Sequence, residues 1–161
     1  MTRLFAALVA AFALSLSLHA QARPDHSGTW TMDEARSESP GYEGFVGPVT
    51  WVIEQRETQM LVSITRGDKA VALTFDIVPK PVDSSSGGVP SHRAFWDGDR
   101  LVTLTAQNIQ GQTVTTREVH TLQAGGRELV VERVVTVEHG YTLKGAQNYN
   151  TAKDVFVRAS P

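Results

Sequence analysis

From residue 48 onward the chain changes character almost residue by residue. Apolar and polar side chains alternate through one short segment after another, and a turn signal breaks the pattern roughly every ten residues. A period of two puts neighbouring side chains on opposite faces of a strand. Val49, Trp51 and Ile53 alternate with Thr50 and Glu54 over 49–56. Met60, Val62 and Ile64 share a face over 59–66. Gly67-Asp68 then leads into 69–78, with Val71, Leu73, Phe75 and Ile77 on one face and Ala70, Ala72, Thr74 and Asp76 on the other. Connections this short make antiparallel pairing of neighbours nearly obligatory.

The pattern resumes over 92–96, 100–109, 112–122, 127–137 and 153–159, with turns at Asp97-Gly98-Asp99, Gln110-Gly111 and Gly125-Gly126. A first strand is expected over 27–32. Asp33 to Ser37 is expected to form one helical turn, capped by the Asp33 carboxylate and started by Glu34. Residues 38–48 and 79–91 are rich in glycine, proline or serine and are expected to be loops. The fold class is therefore all-β: an antiparallel up-and-down meander of about nine or ten strands. A meander that long exposes two edges unless it closes, so a barrel is expected, with a two-sheet β-sandwich as the alternative.

The first 22 residues stand apart. A positive start at Arg3, an apolar run from Leu4 to Leu18 and the small-x-small Ala20-Gln21-Ala22 read as a cleaved export leader, with one domain over 23–161. The run is too short to span a bilayer stably, so a periplasmic or secreted protein is expected. The chain contains no cysteine, which excludes disulfides, thiol nucleophiles and cysteine-held zinc. It also excludes lipidation at the cleavage point, where Arg23 stands. The net charge is −2 with both signs scattered, so the concentrated basic face of a nucleic-acid binder is missing.

Ser27-Gly28-Thr29-Trp30, opening the first strand, resembles the Gly-x-Trp start of the lipocalin and fatty-acid-binding superfamily. The stretch Trp96-Asp97-Gly98-Asp99-Arg100-Leu101-Val102 is similar to a later hairpin of that superfamily, as is the register through Glu128-Leu129-Val130-Val131-Glu132. Taken together, with Ala35-Arg36-Ser37 following the opening, the pattern looks most like small exported bacterial lipocalin-like domains. The Thr-Asp-Tyr motif of true lipocalins is absent. The resemblance implies a calycin-like barrel of about 8–10 strands with Trp30 packed at its closed end, and a small hydrophobic or amphipathic ligand inside.

Candidate ligand-binding residues follow from parity and residue type. Arg133 shares its strand face with Leu129, Val131, Val135 and Val137. If that face is interior, a guanidinium lies among aliphatic groups and needs a partner, either a ligand or a side chain such as Glu118. If Val130, Val134 and Thr136 face inward instead, Arg133 is in water. Similar barrels that hold fatty acids use interior arginines as anchors, so the resemblance adds Arg133 as a candidate anchor. Glu118 and His120 share a face, either as an acid–base pair or as a polar barrel wall. Trp51, Phe75, Phe95 and Trp96 are the aromatic wall candidates.

His26, His92, His120 and His139 lack metal-ligand spacing, and no metal or cofactor is expected. There is no Gly-x-Ser-x-Gly elbow, and no catalytic residue is assigned. A ligand-binding barrel is the leading expectation. An envelope interaction domain with a filled core is the first alternative, its protein partner unspecified. A barrel-scaffold isomerase or dehydratase is the second.

Overall fold

A computed structural model of the chain describes residues 23–39, 48–79, 91–138 and 149–160. The expected leader at 1–22 and most of the two expected loops lie outside these residues. The described chain forms nine strands: β1 (Gly28–Met32), β2 (Val49–Gln55), β3 (Gln59–Arg66), β4 (Lys69–Ile77), β5 (Ser91–Asp97), β6 (Arg100–Ile109), β7 (Gln112–Gln123), β8 (Glu128–Glu138) and β9 (Tyr149–Arg158). They make one closed barrel in sequence order, with β1 also pairing to β9. The β-sandwich alternative is thereby excluded.

One pairing departs from the expected all-antiparallel meander. β4 and β5 run parallel, through Asp76↔Arg93 and Ile77↔Ala94. The reason is parity: an odd number of strands cannot alternate direction all the way round a ring, so a nine-strand barrel needs a parallel neighbour somewhere. Every other adjacent pair is antiparallel.

The expected helical turn is present as one 3-10 turn, Glu34–Arg36, with Asp33 Oδ1 accepting from the Arg36 amide at 3.3 Å. Beyond it the chain stays on β9. The Glu38 amide donates to the Lys153 carbonyl at 2.9 Å, and Glu38 Oε2 accepts from the Lys153 amide at 2.8 Å. This run along β9 carries Ser39 to a buried position.

The enclosed core gathers alternate residues of most of the strands, among them Trp30, Trp51, Ile53, Met60, Phe75, Leu101, Leu129, Val131 and Phe156. Trp30 closes one end. Its Nε1 donates to the His26 carbonyl at 2.9 Å, and the Arg158 guanidinium lies 4.2 Å from its ring centroid. Gly28 has a positive φ of 139°, and a Cβ there would run into that guanidinium, so the glycine of the Gly-x-Trp opening is required by the seal itself. Trp30→Phe keeps the apolar bulk but loses the hydrogen bond and weakens the cation–π contact. It is expected to cost about 1–2 kcal/mol in urea denaturation without altering the fold.

Toward the opposite end the inward rows lose their cover. On β4, Phe75 is 3% exposed, Leu73 half-buried and Val71 51% exposed. On β3 burial falls from Met60 and Val62 to Ile64, and on β9 from Phe156 and Asp154 to Asn150. Among the described residues the barrel is filled and sealed at the Trp30 end, and cover falls away toward the other.

Candidate functional site

At the level where the packed half gives way to the open half, four strands place polar groups on the inner wall. Register decides the faces. Thr103 lies across from Glu118, Glu118 across from Arg133, and Arg133 across from Ala152, with Asp154 two residues further along β9. Arg133 therefore faces in, the first of the two orientations the sequence allows.

Arg133 Nε donates to Glu118 Oε1 at 2.7 Å. Its Nη1 donates to Ser39 Oγ at 3.2 Å and lies 3.5 Å from Asp154 Oδ2. Asp154 is fully buried and accepts from the Ser39 amide at 3.0 Å and the Ser39 hydroxyl at 2.5 Å. Two Ser39 donors and the Arg133 guanidinium thus surround the Asp154 carboxyl. Thr103 Oγ1 donates to Glu118 Oε2 at 3.4 Å and lies 3.2 Å from His120 Nε2. His120 Nε2 is 3.6 Å from Glu118 Oε2.

Burial by itself pushes the Glu118 carboxyl upward. The neighbouring His120 imidazole and the Arg133 charge outweigh it and hold the carboxyl down at about 2. A carboxylate held that low, with one oxygen taken by a guanidinium, is poorly matched to proton transfer near neutral pH. The Glu118/His120 pair reads as wall polarity with a fixed charge pair in it.

The other candidates scatter. Trp51 is buried beside His120, with ring centroids 5.9 Å apart, and packs against Phe156 with centroids 4.6 Å apart and the rings tilted by 38°. Phe75 is inside but on another sector of the wall, edge-on to His92 at 5.6 Å. Trp96 belongs to the sealed end, 5.8 Å from His26 and 5.5 Å from the Arg23 guanidinium. Phe95 is corrected: it points outward and packs with Val102 and Val119 in a separate apolar cluster. Adjacent strand residues face opposite ways, so Phe95 and Trp96 cannot both line the interior, and Ile77↔Ala94 sets the parity that turns Trp96 in.

Asp154, Ser39 and Thr103 complete the cluster without having been singled out from the sequence. Asp154 did carry a signal, because it alternates with Phe156 on the last strand. Ser39 carried none, since only the run of the chain along β9 brings it in. Trp51 Nε1, His120 Nδ1 and His26 Nε2 are buried with no hydrogen-bond partner among the described residues. Burial also lowers the His26 pKa, assisted by the charge of nearby His120.

Beside Arg133 lies a cavity of about 210 Å³, bounded by Arg133, Val135, Asn150, Thr151 and Ala152. Among the described residues no cluster of three or more metal-ligating side chains exists, and no helix is long and apolar enough to cross a membrane.

No family model and no curated protein matches the chain. Solved structures do. The fluorescent protein UnaG, wild type, superposes with a TM-score of 0.50 at 18% identity, covering 83% of this chain and 96% of UnaG. Human cRBP IV superposes with a TM-score of 0.51 at 19% identity, covering 84% of this chain and 99% of that protein. The chain thus has a calycin-like barrel fold, as its Gly-x-Trp opening led us to expect.

Proposed function

We propose that this chain is an exported binding protein that holds a small hydrophobic or amphipathic ligand in the open half of its barrel. Export rests on the leader pattern over 1–22. Barrels of about this strand number are just wide enough either to be filled by their own side chains or to hold one small molecule, and barrel mouths are favoured pocket sites.

The observation that carries the reading is the one-sided loss of cover. Beyond the polar cluster the described inner wall is mixed: Thr105, Thr116, Val135 and Asn150 form one row, while Ile64, Leu73 and the half-exposed Val71 keep the β3–β4 side apolar, where a barrel filled by its own side chains would bury them. The cavity beside Arg133 is smaller than the roughly 300–1,000 Å³ of drug-sized sites. It accommodates one end of a ligand, the remainder lying along the uncovered wall. From Arg133 to Val137 that wall extends about 14 Å, at about 3.4 Å per residue.

The test is titration with the polarity-sensitive dye N-phenylnaphthylamine, comparing the wild type with Val135→Trp, which fills the cavity from its apolar side. The wild type is expected to enhance the dye's fluorescence with a roughly micromolar Kd. The variant should keep its circular dichroism spectrum and bind at least about tenfold more weakly. Absence of binding by the wild type, or equal binding by the variant, would refute a ligand in this cavity.

A further inference from the structure

Chain outside the strands closes the Trp30 end of the barrel. Residues 23–27 precede β1 and carry His26 to a fully buried position. Side chains of three strands pin this segment. Gln55 Nε2 donates to the Pro24 carbonyl at 3.1 Å, and Gln55 Oε1 accepts from the His26 amide at 3.1 Å. Trp30 Nε1 donates to the His26 carbonyl. Arg158 Nη1 donates to the Ser27 carbonyl at 2.5 Å and Nη2 to the Asp25 carbonyl at 3.5 Å.

The same bonds decide where the His26 ring holds its proton. Nδ1 lies 3.1 Å from Gln55 Oε1 and 3.3 Å from the Pro24 carbonyl oxygen. Both are acceptors, because the other two bonds of the Gln55 amide fix its orientation. Nδ1 therefore carries the hydrogen, and in the neutral ring Nε2 keeps a lone pair. Nε2 is buried with no hydrogen-bond partner among the described residues. Acid must add its proton there, in a ring packed against Trp96 of β5 at 5.8 Å and edge-on to His120 of β7 at 6.4 Å. Burial first, and the His120 charge second, hold the His26 pKa below its ordinary 6.5 against the pull of Gln55, Pro24 and the His120 backbone. Arg158, and Arg23 over the Trp96 ring, add positive charge on the same side of the balance. Asp25 favours the proton, but its carboxylate is turned to the Ser27 amide at 2.9 Å. Arg56 and Glu57, in the groove beside Gln55, are opposite in sign.

We propose that residues 23–27 are an acid-released plug: protonation of buried His26 at Nε2 detaches the segment from the barrel end while the nine strands stay paired. Side-chain bonds rather than a strand ladder hold the segment, so it can open as a local unit. The detached His26 takes up a proton more readily than the docked one. Docking is therefore strongest above about pH 6.5 and weakens as pH falls below it. Glu118 keeps its contribution to the wall down to about pH 4.5, so release of the plug precedes loss of the barrel.

Hydrogen exchange at the Trp30 indole N–H reports the plug, because that hydrogen is bonded to the His26 carbonyl. After correction for the intrinsic exchange rate, its protection in the wild type is expected to fall at least about tenfold between pH 7 and pH 5. Amides of β7 and β8 should keep theirs. His26→Phe keeps a ring in the space and takes up no proton, so its Trp30 protection should not change with pH.

Constant Trp30 protection in the wild type would overturn the proposal. An equal fall in the variant would also overturn it, by assigning the release to another group such as His120. Loss of β7 and β8 protection in step with Trp30 would replace the plug by unfolding of the whole barrel. Should His26→Phe not fold, nuclear magnetic resonance titration of the wild-type imidazole decides. Trp30 release in step with a His26 midpoint below 6.5 supports the plug, and a midpoint at or above 6.5 overturns it.

Discussion

Replacing Arg133 by methionine is expected to destabilise the barrel by about 3 kcal/mol, lowering Tm by roughly 10 °C. The methionine fits the space, so the loss is electrostatic. Glu118 and Asp154 would remain on the inner wall without the guanidinium, and among the described residues only Ser39 would then donate to the fully buried Asp154. Removing one member of a buried charge set commonly costs about 3–5 kcal/mol. The lower end applies because the Arg133 side chain is 17% exposed and partly screened.

Two companion variants separate charge from shape. Arg133→Lys keeps the charge but offers a point ammonium where a planar fork spans Glu118 Oε1, Ser39 Oγ and Asp154 Oδ2, so it should recover only part of the loss. The triple change Arg133→Met, Glu118→Gln, Asp154→Asn removes the uncompensated charges and should be more stable than Arg133→Met alone. A single methionine variant within about 1 kcal/mol of wild type would mean that the cluster is solvated and its charges screened.

The strands were legible because their signals are local. Alternation and turn dipeptides are read within a few residues, and even the capped turn after Asp33 needs nothing distant. The parallel β4–β5 pair was not legible, because it follows from closing an odd number of strands, a property of the whole ring. The site divides along the same line. Arg133 and Glu118 shared an expectation that only register resolves, and Glu118↔Arg133 resolves it. Phe95 was misplaced although the sequence held the answer, since its neighbour Trp96 cannot share its face. Asp154 was equally accessible through Phe156, with which it shares parity. Ser39 reaches the cluster through a tertiary path along β9 that no periodicity records.

Acid should strip the same cluster of its stabilisation in a defined window. The Glu118 carboxyl sits at about 2 in the folded barrel against an ordinary 4.5, with burial opposed by His120 and the closer Arg133. A depressed folded value means the unfolded chain binds the proton more readily. Stability from this group is therefore fully present above about pH 4.5 and falls as pH drops through the interval toward 2. A displacement of that size corresponds to about 3 kcal/mol in total, about 2 kcal/mol of it gone by pH 3.

Urea denaturation of wild type and Glu118→Gln between pH 6 and pH 3 isolates this contribution, because most other carboxyls and histidines titrate in both proteins. The wild type should lose about 2 kcal/mol more than the variant over that range, so the stability gap between them narrows as acid is added. Parallel pH profiles would show that Glu118 has an ordinary pKa and is not held by Arg133. A gap that widened in acid would mean the carboxyl is protonated in the fold at higher pH, with burial outweighing the pull of Arg133.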